Sequence, residues 1–467
     1  MPRDDHIDKP YLPNRKDFHL GKGTVMKSLM KRVFAAAAAI ATVFGLAATT
    51  VATANAADNA TLTVSTTDAK FAGKTVNAYK MFSATVSGDG KAVSYTLTDE
   101  WKPFFKNSVG LTGVTDENVN DKANDYVSKL KDSTLVAFAT KASNWAQTKA
   151  NNITADATAT VSADASNGKY TATFTGLGYG YYVVAVPGAT LANAKSQYAT
   201  LVSVHSTKVD ADIKGDLPTV DKKVQVNGNG ADTADAKIGD TLTFTLTSTI
   251  PDMSAYDTYT FNFKDTLSKG LTFGQVKSVK VENVTLTENT DYTVTTPTAS
   301  NNNTLTVAMK DFKTKQQANA GKKITVTYTA TLNENAVVGG AGNVNSAKIQ
   351  YSNNPSTNGT GESEPSKVRV FTYGFTVDKY TGDQYTDAAT RLAGAEFTLA
   401  HKDGSAISFV QVSAGSATAN AVYRVAKAGE TGTTTITTPA NGKVVFEGLE
   451  NGEYTLTETK APAGYNK

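Results

Sequence analysis

The sequence predicts a mainly β chain of tandem β-sandwich domains, the first with added helices. Three observations carry this. Strict alternation fills the middle of the chain, as in Leu242-Thr243-Phe244-Thr245-Leu246, Tyr259-Thr260-Phe261-Asn262-Phe263 and Ile324-Thr325-Val326-Thr327-Tyr328, and a period of two turns one face of a strand inward. Turn signals such as Asn441-Gly442 and Asn451-Gly452 punctuate such runs and read as hairpins. The 467 residues, 40% of them apolar, allow two to four domains at roughly 100–200 residues each.

Residues 1–56 read as a leader. Lys27, Lys31 and Arg32 precede an apolar, Ala-rich stretch over residues 33–51, and Ala54-Asn55-Ala56 fits the small-x-small cleavage pattern. The secretion signal proper spans about 26–56, placing the mature start near Ala57; an uncleaved membrane anchor is the alternative. Residues 1–25 are polar and precede a good start at Met26, so the start reads as set too early, an extended leader being the alternative. The leader holds eight Lys/Arg against four Asp/Glu. The remainder, with 38 basic and 39 acidic residues, is near neutral and makes no electrostatic case for nucleic acid. There is no cysteine, so an exported chain of this kind has no disulfide staple and needs cores or some other crosslink.

Residues 57–214 form the first expected domain. Strands are expected at Thr61 to Val64, Thr75 to Met81 and Val93 to Leu97, with a hairpin turn at Gly88-Asp89-Gly90, and again at Tyr170 to Phe174 and Tyr181 to Val186. One or two helices interrupt them: Ser133 is placed to cap a helix with Leu135, Phe138, Ala139, Ala142, Trp145 and Ala146 on one face. Residues 215–370 form the alternating middle domain, with 353–365 read as a long polar loop. Residues 371–467 form a third β domain. The chain stops just after a strand where one more is expected, so this domain reads as truncated. Thr219-Val220-Asp221-Lys222 recurs as Thr376-Val377-Asp378-Lys379, each opening a β module.

Strand parity finds the charged groups of interest. Val220, Lys222, Val224 and Val226 share a face, as do Phe261, Phe263, Asp265 and Leu267; Asn345, Ala347, Ile349 and Tyr351 do the same. Lys222, Asp265 and Asn345 therefore point inward, with Asn343 at the same parity. In the third domain Phe375, Val377 and Lys379 share a face, and so do Tyr454, Leu456 and Glu458. An inward lysine and carboxylate are costly as separate ions. Burial favours their neutral forms, and a neutral amine is a nucleophile. Beside an inward amide it can attack the carbonyl carbon while the acid shuttles protons, giving a Lys–Asn isopeptide bond. A plain buried salt bridge is the other reading of the same parity.

The segment Gly452-Glu453-Tyr454-Thr455-Leu456-Thr457-Glu458-Thr459-Lys460-Ala461-Pro462-Ala463-Gly464-Tyr465 resembles the E-box (Y-x-L-x-E-T-x-A-P-x-G-Y) of sortase-assembled Gram-positive pilins. Thr219 to Val224, Asp265 to Leu271 and Asn343 to Pro355 resemble the middle domain of backbone (major) pilins of the SpaA type. The resemblance implies immunoglobulin-like domains, the middle one Cna-A-like and the third Cna-B-like. It implies a structural shaft subunit of a cell-wall-anchored pilus on the cell surface, with other copies of itself and a pilus-specific sortase as partners, and ancillary pilins and host surface ligands beyond them. Residue by residue, it implies a crosslink of Lys222 with Asn345 assisted by Asp265, Asn343 being the alternative amide. In the third domain Lys379 is the implied nucleophile and Glu458 the assisting acid, their Asn and an LPXTG-type signal lying beyond Lys467. Leu201-Val202-Ser203-Val204-His205-Ser206-Thr207-Lys208 matches the pilin motif with Thr207 where Pro is usual. That implies Lys208 as the intersubunit linkage lysine, with Lys214 second.

Two rival classes compete with this reading. An enzyme finds little support: beyond the leader only His205 and His401 remain, and G-x-S-x-G and H-E-x-x-H are missing. Gly176-Leu177-Gly178-Tyr179-Gly180 precedes a strand and reads as a turn. An ancillary or adhesive pilin binding host glycan or matrix protein is the alternative, although the sequence has neither a D-x-S-x-S run nor EF-hand spacing. No metal or organic cofactor is implied.

Overall fold

The computed structural model describes residues 59–466 apart from 88–91, 152, 165–167, 193, 356–358 and 383–389. The leader, its cleavage site and the Gly88-Asp89-Gly90 turn lie outside the described residues. The described chain is mainly β, in six sheets.

The N-terminal part holds two of them. A four-stranded sheet runs Ser162–Asp164, Lys169–Leu177, Ala60–Thr66, Lys208–Asp212, so the first and last strands of this part pair in parallel, Thr61 opposite Lys208. A five-stranded sheet runs Val93–Leu97, Thr75–Val86, Gly180–Thr190, Gln197–Val204, with Ala157–Thr160 also pairing Thr75–Val86. Helices cover its outer face. Three α-helices are present where one or two were expected: Lys102–Asn107, Val119–Ser128 and Asp132–Gln147. The first two are short and hold their place by tertiary burial of Phe104, Phe105, Val119 and Ala123, which outweighs weak local propensity. The third begins one residue before the expected cap. Ser133 lies inside its first turn, and the Thr134 hydroxyl instead accepts the Lys131 backbone N–H at 2.9 Å. Phe138, Ala139, Ala142 and Ala146 are buried as the spacing requires.

The middle of the chain is a sandwich of two large sheets. One runs Asn229–Ala231, Asp221–Val226, Thr241–Thr249, Lys323–Leu332, Leu271–Val281, Val284–Thr285. The other runs Thr233–Asp235, Ser366–Phe371, Asn343–Ser352, Phe261–Leu267, Thr304–Met309, Tyr292–Thr295. Their inner faces bury Phe244, Leu246, Phe261, Val326, Tyr328 and Ile349 completely, each such apolar side chain contributing roughly 1.5–3 kcal/mol. Within the tract read as a long loop, Thr360–Glu362 adds a short edge strand to Asn343–Ser352. Its backbone groups are thereby paired, which residue composition alone does not reveal.

The C-terminal part packs a four-stranded sheet (Tyr373–Asp378, Lys443–Leu449, Ala421–Val425, Phe409–Ser413) against a three-stranded one (Ile436–Thr437, Glu396–His401, Tyr454–Lys460). Asn441-Gly442 and Asn451-Gly452 do make turns, but neither closes a hairpin. Each carries the chain from one sheet to the other, because Lys443–Leu449 pairs with Tyr373–Asp378 and Ala421–Val425 rather than with its neighbours in sequence.

Buried residues form one cluster that runs from the N-terminal four-stranded sheet through the middle sandwich, a second between the five-stranded sheet and its helices, and a third in the C-terminal part. Polar contacts reinforce the junctions. Buried Asp252 accepts the Gln197 backbone N–H at 3.1 Å and the Gln317 side-chain amide at 2.8 Å. At the other end the Ile238 N–H donates to the Gly448 carbonyl at 2.9 Å.

Candidate functional site

The site lies between the two sheets of the middle sandwich, and four strands build it. Asp221–Val226 presents Lys222 between Val220 and Val224, all three buried; Val226, at the strand end, emerges to solvent. Lys223 faces outward and pairs with Asp232 at 2.6 Å, as parity requires. From the opposite sheet, Phe261–Leu267 presents Asp265 and Asn343–Ser352 presents Asn345. Asp265 stands opposite Ala347 and Asn345 opposite Leu267, so the two polar residues are diagonal neighbours on one face. Lys222, Asp265 and Asn345 are all fully buried.

The structure brings these three together through a fourth residue that parity reasoning passed over, Tyr328 on Lys323–Leu332. The Lys222 ammonium donates to Asp265 Oδ2 in a very short contact and to the Tyr328 hydroxyl at 2.9 Å. Tyr328 donates to Asp265 Oδ2 at 2.6 Å, and Asn345 Nδ2 donates to Tyr328 at 2.6 Å. Asp265 Oδ1 and Asn345 Oδ1 are buried without a hydrogen-bond partner, a cost of about 1–3 kcal/mol each that calls for an explanation. The signal for Tyr328 was available. It is the only residue with a polar tip in the inward set Ile324, Val326, Tyr328, Ala330, Leu332, and a buried phenol needs a partner.

Electrostatics follow from this enclosure. Burial pushes the Lys222 pKa below its ordinary lysine value, against the opposing pull of Asp265. Burial, then the Asp265 charge, pushes the Tyr328 phenol well above its ordinary value. The Lys222 Nζ also lies 5.2 Å from the ring centroids of both Phe244 and Tyr328, which favours its cationic form.

Asn343, also fully buried, is committed elsewhere. Its Oδ1 accepts the Val337 N–H at 2.9 Å, and its Nδ2 donates to the carbonyls of Val337 and Val370 at 3.1 and 3.2 Å. It holds the loop after Lys323–Leu332 and takes no part in the polar cluster around Lys222.

The third-domain pair is different. Lys379 and Glu458 meet at 3.0 Å, but their side chains keep 25% and 22% of their exposure, so the inward placement expected for them is only half realised. Lys379 falls one residue past Tyr373–Asp378, and Tyr454–Lys460 is an edge strand on which Leu456 is 37% exposed. Lys208 opens its strand with an exposed side chain, and Lys214 is exposed in the segment that follows. Among the described residues no cluster of three or more His, Cys, Asp or Glu is placed to hold a metal ion.

Comparison with known proteins places these features. The family described as Gram-positive pilin backbone subunit 2, Cna-B-like domain, matches residues 238–355. The Cna-B-like description differs from the Cna-A-like one expected for this region. The SpaA prealbumin-like fold domain matches residues 383–467. Among curated proteins the chain is similar to the trypsin-resistant surface T6 protein of Streptococcus pyogenes serotype M6, 25% identical over 278 residues. That match covers 54% of this chain and 44% of the relative, less than half its length. Among solved structures it is similar to the T6 backbone pilin of S. pyogenes (20% identity, 87% of this chain and 78% of that one, TM-score 0.49). It is also similar to a C-terminal fragment of the major pilin GBS80 of Streptococcus agalactiae (27% identity, 54% and 88%, TM-score 0.43). A match to a pilin-backbone domain that takes in Asp265, Tyr328 and Asn345, followed by a match to a SpaA-type domain, identifies the chain as one that carries domains of Gram-positive backbone pilins.

Proposed function

We propose that this protein is a structural shaft subunit of a cell-surface pilus, stiffened by an intramolecular Lys222–Asn345 isopeptide bond and joined to further copies of itself by a sortase through Lys208. The observation that carries the reading is a fully buried lysine bonded to a carboxylate and joined through the Tyr328 hydroxyl to a primary amide, with the carboxylate, the phenol and the amide all inside the region that matches a pilin-backbone domain.

The chemistry balances without a co-reactant. A proton passes from Lys222 to Asp265, leaving a neutral amine and a neutral acid. Nζ attacks Asn345 Cγ and forms the new C–N bond. The proton held by Asp265 passes to Nδ2, which leaves as ammonia, and the carboxylate so freed takes up the second Nζ proton. The amide oxygen stays on carbon, so primary amide plus amine gives secondary amide plus ammonia. The reaction occurs once per molecule, and the protein is its substrate as well as its scaffold; it is no enzyme in the turnover sense.

The mechanical rationale is direct. Lys222 and Asn345 stand 123 positions apart, and closing a loop of that order stabilises by about 4–5 kcal/mol in the chain-entropy account of crosslinks. Tension along a fibre would also run through a covalent path between the two sheets, in a chain with no cysteine. Exposure of Lys208 beside the pairing of first and last N-terminal strands supports its role as the linkage lysine.

The test is the intact mass of the purified mature protein beside Asp265→Ala. The expected wild type is lighter than its formula by one ammonia, about 17 Da, and the variant is at full mass. Full mass in both would reduce the site to an ion pair. For assembly, Lys208→Ala is expected to abolish the covalent ladder that wild type forms with its cognate sortase, and Lys214→Ala to leave it intact.

A further inference from the structure

We propose that the Tyr328 hydroxyl is the proton relay of this site, carrying the proton taken up by Asp265 to the departing nitrogen of Asn345. The inference rests on the crosslinking reading above and adds to it the route by which ammonia is made to leave.

Amide aminolysis has a specific bottleneck. Once Lys222 Nζ has added to Cγ, the tetrahedral carbon carries two nitrogens, and the one that bears a proton in excess departs. Nδ2 must therefore gain a proton while Nζ loses one. The proton available is the one held by Asp265, and it must travel from the carboxylate to Nδ2. Among the described residues no hydrogen bond joins Asp265 to Asn345. Asp265 Oδ2 is bonded to Lys222 and Tyr328, Asn345 Nδ2 to Tyr328, and the remaining oxygen of each has no partner. The continuous hydrogen-bonded path from acid to leaving group runs through one atom, the Tyr328 oxygen, with 2.6 Å on either side.

The direction of that path suits the chemistry. Before reaction the hydroxyl donates to the Asp265 carboxylate and accepts from the amide N–H. After Asp265 takes up the lysine proton, its acid O–H faces the phenol oxygen. The amide nitrogen, now tetrahedral and basic, has a lone pair to receive the phenol proton. One concerted shift moves the Asp265 proton to Tyr328 and the Tyr328 proton to Nδ2. Tyr328 ends as a neutral phenol and Asp265 as a carboxylate ready to take the surplus proton from Nζ. Nδ2 leaves as neutral ammonia once it carries three hydrogens, and no charge is left on the phenol, whose ionisation the buried site opposes.

The ring is fixed for the task. It stacks on Phe244 with centroids 5.3 Å apart and planes at 17°, and the residue is fully buried. Tyr328 also comes from the lysine's own sheet, two strands from Lys222, while both its partners in the relay come from the opposite sheet. The wire is completed only when the sandwich closes, which would confine the reaction to the folded chain.

The experiment follows crosslinking in time on the full mature chain, made by pulsed cell-free synthesis and sampled for intact mass, with folding monitored in parallel by protease resistance. Tyr328→Phe retains the stacked ring and removes only the hydroxyl. The expected result is ammonia loss about 100-fold slower than wild type, the ordinary scale of a lost general acid, in a chain that becomes protease-resistant as fast as wild type. Equal rates would overturn the relay and leave the crosslink standing. A wild type that never loses ammonia would overturn the crosslinking reading and the relay with it. Should Tyr328→Phe not fold, 3-fluorotyrosine at 328, with its more acidic phenol, decides: a rate that changes with phenol acidity supports the relay, and an unchanged rate overturns it.

Discussion

Tyr328 lies directly opposite Phe244 across neighbouring strands, and the two rings stack at 5.3 Å. This pairing sets where the phenol oxygen can be, and hence whether it can touch Lys222, Asp265 and Asn345 at once. Phe244→Ala removes a fully buried ring, which costs about 3–5 kcal/mol. It also frees Tyr328 to tilt. The expected outcome is a lowered thermal midpoint together with a slower loss of ammonia. Phe244→Tyr, which preserves the stack, is expected to alter the rate far less. Thermal melting and intact mass on the same samples check both.

The two buried asparagines of one strand separate by function. Asn345→Ala is expected to hold the protein at full mass. Asn343→Ala is expected to retain the ammonia loss and lose stability, because the Val337 N–H and the Val337 and Val370 carbonyls would be left buried without their partner, at about 1–3 kcal/mol. Intact mass and urea denaturation of the two single variants distinguish the roles.

Gly270 sits in a place that admits no side chain. A Cβ there would come within 2.2 Å of Asn343 Oδ1 and 2.7 Å of the Ala336 Cα, and the second contact is backbone. Gly270→Ala is expected to destabilise by about 1–3 kcal/mol, as overpacking does. Because Asn343 is one of the colliding groups, combining Gly270→Ala with Asn343→Ala is expected to cost less than the sum of the two, a double-mutant cycle that measures the clash.

Parity alone made Lys222, Asp265 and Asn345 legible, because a buried strand face is read directly from alternate residues and the structure keeps all three strands regular. It failed to choose between Asn343 and Asn345, which share parity; that choice depends on which residue of the opposite sheet each one faces, a tertiary fact. Tyr328 reads as core in the alternating pattern, since an aromatic ring hides its polar tip among hydrophobic residues. The hairpins assigned to Asn441-Gly442 and Asn451-Gly452 failed for a related reason. A turn signal fixes the local reversal and says nothing of which sheet receives the next strand. Ser133 failed as a cap because Thr134, one residue on, made the bond back to the backbone first.

The third domain carries a pH-dependent clamp. Arg424 grips Glu430 with two bonds of 2.7 and 2.9 Å, and the Lys427 backbone N–H donates a third at 2.8 Å. Arg424 first, then this backbone bond, brings the Glu430 carboxyl from its ordinary value near 4.5 down to about 2. A carboxyl with a lowered folded-state value stabilises above its unfolded value, and that contribution is lost as pH falls toward the folded one. Glu430→Gln is therefore expected to melt slightly below wild type at pH 7, the difference shrinking below about pH 4.5 and vanishing as pH passes about 2. Calorimetry of both proteins across pH 2–7 gives the comparison.

Lys379 and Glu458 repeat the lysine–acid pairing of the middle domain without its enclosure, and that difference predicts different behaviour. Lys222 has its charge opposed by burial and an amide linked to it through Tyr328. Lys379 is a quarter exposed, and among the described residues no asparagine side chain hydrogen-bonds to it or to Glu458. A partly exposed ion pair contributes about 0–1 kcal/mol, and with no amide beside it residues 57–467 are expected to lose one ammonia and not two. Lys379→Ala should leave the measured mass deficit at about 17 Da and shift the melting temperature little. Lys222→Ala should erase the deficit and, by removing the crosslink, cost about 4–5 kcal/mol. A deficit of two ammonias, with one removed by Lys379→Ala, would show that the third-domain lysine finds an amide partner, and the contrast drawn from burial would fail.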